Sequence, residues 1–260
     1  MCRHLAYLGP PLPLRALLVD PPHSLTEQAI GPQELVYARV NADGFGFGWF
    51  DERGEPLNYR RADPIWQDPN LQTLAGHLHQ PQWVAAIRSA TPGFGGDTAN
   101  AQPFARDGLL YSHNGLIRGF LPRIRRCIQQ RLEPAIEEGI QGTTDSEYLF
   151  ALIRQLLADD PETTLEGALG EAFSLVAEWL GDEHALLNVI IGDGRRIVAS
   201  RHAVNADSPS LYYTTDDETF PDGSVVIASE PLTDREAWRA VPPHHLLCVE
   251  PESPPELLAL

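Results

Sequence analysis

The order of apolar segments along the chain limits it to a small set of folds. Short runs typical of strands come first, segments with helical spacing occupy the middle, and strand-like runs return in the last third. The predicted strands are 2–8, followed by a proline-rich turn, then 45–50, 84–88, 109–113, 185–191, 197–201, 211–215, 225–229 and 246–250. The predicted helices carry apolar stripes over 121–136, 149–156 and 165–180. This order predicts an α+β fold in which two sheets pack together with helices outside.

The domain organisation follows from length and from the absence of breaks. A chain of 260 residues can bury a sizeable core, and no internal repeat or flexible linker divides this one. We therefore predict a single domain over residues 1–250. The segment 251–260 holds three prolines and two glutamates, and is predicted to be a frayed tail.

Charge and cysteine usage exclude several classes of function. The net charge of −17 disfavours nucleic acid as a partner, and the absence of lysine excludes Schiff-base chemistry and a P-loop. Three scattered cysteines, Cys2, Cys127 and Cys248, predict neither a disulfide framework nor a zinc site, and fit a reducing compartment. No signal-type segment and no apolar run of about 18 residues is present, so we predict a cytoplasmic protein without a membrane partner.

The cysteine at position 2 is the strongest candidate for a catalytic residue. Methionine is commonly removed before a small residue, and its removal would place a thiol and a free α-amino group on Cys2. Such an amine titrates near 8 and can accept the thiol proton, so one residue supplies nucleophile and base.

The segment 112–115 is a candidate for oxyanion stabilisation. It ends a predicted strand, and a turn there can direct the Asn114 side-chain amide and the Gly115 N–H toward one point. The structural alternative is an ordinary Asn-Gly turn.

Two further segments carry charges suited to a zwitterionic substrate. Arg88 follows a predicted strand and can bind a carboxylate, with the Thr91 hydroxyl as a second donor; the alternative is a surface ion pair. Asp145 can face an ammonium group. Thr144 and Glu147 match a capping box, so a purely structural role for this segment is the alternative.

Taken together, these segments resemble a known family, the class II glutamine amidotransferases, in their order along the chain. The family motifs are 1–3, 41–46, 88–91, 113–115 and 144–147. Within the family, the chain is similar to the stand-alone γ-glutamyl hydrolases of ergothioneine biosynthesis at 21–25, 41–49, 191–195 and 227–232. The matches extend from residue 1 to about residue 232.

The resemblance implies a fold and a set of catalytic roles. The fold is the N-terminal nucleophile hydrolase αββα four-layer sandwich, two antiparallel sheets flanked by helices. Cys2 is implied to be the nucleophile and, through its own amine, the base, while Asn114 and Gly115 form the oxyanion hole.

The resemblance also implies how substrate is bound. Arg88 with Thr91 binds the α-carboxylate of a small-molecule γ-glutamyl substrate, Asp145 binds its α-ammonium, and neither metal nor cofactor is required. Two departures weaken the match locally. Residues 31–39 are less similar, and Pro92 stands where glucosamine-synthesising relatives have histidine.

Three functions remain open at this stage. The first is hydrolysis of γ-glutamyl-hercynylcysteine S-oxide, whose trimethylammonium would suit an aromatic face such as Trp66 or Phe94. The second is a glutaminase subunit that delivers ammonia to a separate partner. The third is a binding protein without activity. A homo-oligomer is compatible with each.

Overall fold

Two antiparallel sheets form the centre of the molecule in the computed structural model, which describes residues 2–34, 40–90 and 96–260. The strands in these residues are β1 (Arg3–Pro13), β2 (Phe45–Phe50), β3 (Pro56–Arg61), β4 (His79–Ile87), β5 (Phe104–Arg106), β6 (Leu109–Ile117), β7 (Ala185–Gly192), β8 (Ile197–Arg201), β9 (Ala203–Val204), β10 (Tyr212–Thr214), β11 (Val225–Ala228), β12 (Arg239–Ala240), β13 (His245–Val249) and β14 (Glu256–Ala259). The helices are α1 (Arg15–Leu18), α2 (Leu25–Ile30), α3 (Leu71–His77), α4 (Arg125–Gln129), α5 (Pro134–Glu137), α6 (Asp145–Asp159) and α7 (Leu165–Leu180).

The strand order brings the beginning and the end of the chain into the same sheets. The first sheet runs β12-β10-β11-β1-β4-β2-β3, and the second runs β14-β13-β8-β7-β6-β5, with β9 paired to β7. In the first sheet, β1 lies between β11 and β4, and Arg3 is opposite Ile87. The start of β1 therefore meets the end of β4 at one end of the sandwich, in the middle of the first sheet.

Three apolar layers hold the four structural layers together. One layer lies between the sheets and includes Ala6, Leu110 and Ile190. A second lies between the first sheet and α1–α3, and a third between the second sheet and the helices α4, α6 and α7. Because side chains alternate along a strand, Tyr7 of β1 faces the helices while Ala6 faces the other sheet. The predicted αββα sandwich is confirmed.

The predicted proline-rich turn after residue 8 is wrong. β1 continues to Pro13, and its pairing with β4 shifts register between Leu8 and Leu12. Prolines lack the N–H that a regular ladder needs, and they are tolerated here because the ladder is already irregular.

The predicted helix over 121–136 is divided in the structure. A π-helical turn at Phe120–Ile124 leads into α4, and α5 begins separately with Pro134 as its first residue. Proline is favoured at a helix start and disrupts a helix interior, which explains why one apolar stripe becomes two short helices.

The frayed tail predicted for 251–260 is wrong for its last residues. β14 pairs with β13 over four positions, and Leu258 packs against the core that joins the second sheet to its helices. Nowhere in the described segments is there a helix long and apolar enough to cross a membrane.

Candidate active site

A cavity of about 290 Å³ opens where β1 begins and β4 ends. Four of the six site residues predicted from sequence line it, and they come from distant parts of the chain: Cys2, Arg88, Gly115 and Asp145. Cys2 directly precedes β1 and Arg88 directly follows β4 of the first sheet, Gly115 belongs to the second sheet, and Asp145 begins α6. The cavity therefore lies at the junction of both sheets with one helix.

Cys2 immediately precedes β1 and is buried, with 9% of its surface exposed. Because Arg3 pairs with Ile87, the preceding Cys2 lies near Arg88, and both residues line the cavity. Cys248 is a poor alternative nucleophile, because burial and the nearby Glu166 carboxylate raise its pKa to about 12. The geometry thus favours Cys2 as the reactive thiol.

The predicted turn at Asn114 and Gly115 is wrong, because both residues lie inside β6. Asn114 is opposite Asn188 and Gly115 is opposite Leu187 on β7. Gly115 lines the cavity, and a Cβ added there would overlap the carbonyl oxygen of Leu186. Only glycine permits this approach of the two strands.

Asn114 lies beside the cavity rather than on its lining. Its side chain is fully buried between the sheets, and its Nδ2 donates to Ser229 Oγ at 3.3 Å. The amide is thus directed by a contact with the other sheet.

Arg88 is held by backbone contacts at the end of β4. Its N–H donates to the Gly44 carbonyl at 2.8 Å, and its carbonyl accepts from Asp43 N at 2.9 Å. Asp43 in turn accepts from the Ala90 N–H at 2.8 Å, so the family motif 41–46 braces the segment that carries Arg88. The Arg88 side chain is 6% exposed and lines the cavity.

Some predicted positions lie outside the described residues. These are Met1, Thr91, Pro92, Phe94 and residues 35–39 of the less similar stretch 31–39. Trp66 is described, is 40% exposed, and is not among the residues that line this cavity.

Asp145 is the first residue of α6, but it is not the cap. Thr144 Oγ1 accepts from the Glu147 N–H at 3.4 Å and so caps the helix. Glu147 does not complete a capping box, because its carboxylate accepts from the N–H groups of Gln141 and Gly142. Asp145 accepts instead from the Ile117 N–H at 2.7 Å, which ties α6 to β6 and holds the carboxylate at the cavity wall.

Two buried histidines beneath the cavity remain neutral near pH 7. Burial and the charge of Arg3 lower the pKa of His4 well below its ordinary value. Burial also lowers the pKa of His113, against the opposing effect of Asp145. His113 Nε2 lies 2.8 Å from the Leu186 carbonyl and therefore donates to it, which leaves Nδ1 to accept from Ser146 Oγ at 3.0 Å.

A buried charged cluster that was not predicted from the sequence lies next to Cys2. Arg3 and Glu230 form an ion pair at 3.3 Å, and each is at most 1% exposed. Glu230 also contacts His23 Nε2 at 2.8 Å and accepts from the N–H groups of Gln33 and Glu34. Burial opposes ionisation of Glu230, but these partners hold its pKa below its ordinary value. The motif 227–232 pointed to this cluster without indicating its role.

Gln102 was also missed and joins the cavity to β6. Its side chain lines the cavity, accepts from the His113 N–H at 2.5 Å and donates to the His113 carbonyl at 3.2 Å. Within the parts of the chain that the structure describes, no three histidine, cysteine or acidic side chains converge as a metal site.

The chain is similar to known proteins over most of its length. The sequence pattern of the glutamine amidotransferases class-II family matches residues 31–253. The gamma-glutamyl-hercynylcysteine sulfoxide hydrolase of Mycolicibacterium smegmatis is 34% identical over 250 residues, which cover 96% of each chain. The probable glutamine amidotransferase DUG3 of Saccharomyces cerevisiae is 29% identical over 297 residues, covering 97% of this chain and 83% of that protein. Among solved structures, a glutamine aminotransferase class-II domain protein from Silicibacter pomeroyi superposes with a TM-score of 0.69 at 26% identity, covering 99% of each chain.

The chain belongs to the class II glutamine amidotransferase family. The enzyme class inferred from the sequence, an N-terminal-nucleophile amidohydrolase acting on a linear C–N amide bond, is confirmed, and Cys2 fits the nucleophile that this class requires.

Proposed function

We propose that this protein hydrolyses the γ-glutamyl amide bond of γ-glutamyl-hercynylcysteine S-oxide and releases glutamate and hercynylcysteine S-oxide. The observation that carries the proposal is the convergence of Cys2, Arg88, Gly115 and Asp145 on one cavity. The similarity to the M. smegmatis hydrolase over 96% of both chains supports this choice of substrate.

The glutamyl group is recognised through its two charges. A γ-glutamyl amide carries an α-carboxylate and an α-ammonium at one end, and the described cavity lining includes the Arg88 guanidinium and the Asp145 carboxylate. Charge-assisted hydrogen bonds from Arg88, with Thr91, hold the carboxylate, and Asp145 holds the ammonium. These two contacts direct the γ-carbonyl carbon toward Cys2. They involve only the glutamyl group, so they do not depend on the identity of the leaving amine.

The reaction proceeds in two halves. After removal of Met1, the α-amine of Cys2 accepts the thiol proton, and sulfur attacks the γ-carbonyl carbon. The Asn114 amide and the Gly115 N–H stabilise the oxyanion. The C–N bond then breaks, the leaving amine takes the proton, and a γ-glutamyl thioester remains on Cys2. Water attacks this thioester, and the products are glutamate and the free thiol.

Labelling of the nucleophile tests the proposal directly. The purified protein is exposed briefly to a γ-glutamyl chloroketone and analysed by intact mass and peptide mapping. We expect a chain without methionine, carrying one adduct at Cys2. Cys127→Ala and Cys248→Ala are the matched controls and should keep full labelling and turnover. An adduct at Cys127 or Cys248, or full turnover by a chain with a blocked amine, would refute the mechanism.

A second function is supported by the similarity to the yeast protein named as a probable glutamine amidotransferase. In this version the enzyme hydrolyses glutamine and delivers ammonia to a separate partner. The kcat/KM values for glutamine and for γ-glutamyl-hercynylcysteine S-oxide separate the two. A clear preference for glutamine would favour the amidotransferase subunit over the proposed hydrolase.

A further inference from the structure

Ser229 lies at the point where the two sheets meet behind the cavity. It follows β11 directly, is fully buried, and its backbone is fixed on both sides. Its N–H donates to the His4 carbonyl at 2.9 Å, and its carbonyl accepts from Ser210 Oγ at 2.8 Å. The position of its side chain is therefore determined by the first sheet.

The Ser229 hydroxyl connects the strand of the nucleophile to the strand of Asn114. Its oxygen accepts from the His4 N–H at 3.0 Å, two residues after Cys2, and from Asn114 Nδ2 at 3.3 Å. A hydroxyl oxygen has two lone pairs, and these two donors use both. Asn114 lies on the second sheet, so this contact spans the interface between the sheets.

An asparagine side chain needs such a partner if it is to act as a donor. The terminal torsion of asparagine is broad and nearly two-fold, so the amide can present either its NH₂ or its oxygen to a neighbour. An oxygen presented to the developing oxyanion would repel it. Because Ser229 Oγ accepts one Nδ2 hydrogen, the NH₂ group is held in place. In the proposed mechanism, its second hydrogen is the one that stabilises the oxyanion.

We infer that Ser229 is a positioning residue that orients the Asn114 amide for oxyanion stabilisation. This inference rests on the proposed role of Asn114. Ser229 makes no contact with substrate in this scheme, and it acts only through Asn114.

A double-mutant cycle tests the inference. Asn114→Ala should lower kcat by about 10²- to 10³-fold, as loss of one oxyanion donor does. Ser229→Ala should lower kcat by about 10- to 100-fold, as loss of an orienting partner does, with KM nearly unchanged. Because Ser229 acts through Asn114, the double variant should be within about two-fold of Asn114→Ala, whereas independent effects would multiply.

Two further variants separate positioning from general stability. Ser200 is fully buried in the second sheet, and its Oγ accepts from the Val189 N–H at 2.9 Å without contact to Asn114. Ser200→Ala should lower the melting temperature but leave kcat at the wild-type value. Ser229→Cys retains a weak acceptor, so its kcat should lie between the values of wild type and Ser229→Ala. This variant replaces Ser229→Ala in the test if the alanine variant does not fold.

The outcomes distinguish this inference from the proposed function. If Asn114→Ala keeps wild-type kcat, the oxyanion assignment itself fails. If Asn114→Ala is impaired but Ser229→Ala is not, or if the two losses multiply in the double variant, only the role of Ser229 is overturned. Alkylation of Cys2 by iodoacetamide, which requires the thiolate but no oxyanion donor, should proceed at the wild-type rate in Ser229→Ala.

Discussion

The carboxylate of Asp145 combines a structural contact with a half-buried charge at the cavity wall. It accepts hydrogen bonds from the Ile117 and Ser146 N–H groups, at 2.7 and 2.9 Å, and it also lines the cavity. An asparagine at this position keeps an acceptor oxygen and removes the charge. The two functions of the residue can therefore be separated by substitution.

We expect Asp145→Asn to raise KM for a γ-glutamyl amide by about 10- to 100-fold, because a hydrogen bond to a charged group contributes roughly 1.5–3 kcal/mol. Steady-state kinetics should show a smaller change in kcat. Glutaric acid monoamide, which lacks the α-amino group, should have the same KM with both proteins. Asp234 likewise accepts a backbone N–H at the start of a helical turn, and Asp234→Asn should match wild type. An unchanged KM in Asp145→Asn would refute the proposed contact between Asp145 and the substrate ammonium group.

The close approach of β6 and β7 at Gly115 can be tested by a single substitution. In Gly115→Ala the new Cβ would overlap the Leu186 carbonyl oxygen, and β6 and β7 would have to separate. We expect a loss of about 1–3 kcal/mol in the free energy of unfolding, measured by urea denaturation, and loss of turnover. Gly76 in α3 has no heavy atom within 4 Å of an added Cβ, so Gly76→Ala should be neutral or stabilising. Equal stability of the two variants would contradict the close approach seen at β6.

At the scale of elements, β14 shows that an edge strand can form where composition predicts fraying. Its residues alternate between an inner and an outer face, with Leu258 packed against the core and Leu257 39% exposed. The strand covers β13, which would otherwise be the edge of the second sheet. The candidate cavity meets this sheet at β6, which three strands separate from β14, so this edge can be altered without contact to the cavity.

Leu258→Asp and Leu257→Asp form a matched pair on β14. The first places a charge against the apolar core and should destabilise the protein by about 1–3 kcal/mol. The second places the same charge in solvent and should be close to neutral. Thermal unfolding measures the difference, and kcat of the folded protein should be unchanged in both. Equal melting temperatures for the two variants would mean that β14 does not pack as described.

At the scale of the whole molecule, a half-buried histidine links stability to pH. His202 stacks on Phe173, with ring centroids 5.3 Å apart, and its Nδ1 lies 3.1 Å from His244 Nδ1. Burial, with a further effect of His244, lowers the pKa of His202 from 6.5 to about 4. Between these values the unfolded chain binds a proton that the folded protein does not, so the stabilisation is complete above pH 6.5 and is lost as the pH falls toward 4.

We therefore expect the free energy of unfolding to decrease from pH 7 to pH 4.5, and to decrease less steeply in His202→Gln. Urea denaturation at several pH values measures the slope. His77, an exposed histidine at the end of α3, provides the matched control, and His77→Gln should follow wild type. A wild-type slope in His202→Gln would show that this histidine does not contribute to the pH dependence.

Local patterns were sufficient for the longer and more regular elements. α7 and β8 have the predicted bounds, because sixteen residues of helical spacing and a short β-branched run each identify one structure. The short helices α1–α3 were not predicted, since four to seven residues are too few to show a period. Motif order in the sequence was also enough to establish the family and to nominate Cys2 and Arg88.

The tertiary structure alone decided how those residues meet. Cys2 and Asp145 are far apart in the chain, and only the packing of β1, β6 and α6 brings them to one cavity. The position of Gly115 inside a strand, and the contact between Ser229 and Asn114, likewise depend on partners more than 70 residues away. Periodicity predicts which face of an element is apolar. It does not predict which distant backbone or hydroxyl group will lie against that face. That information exists only once the sheets have packed.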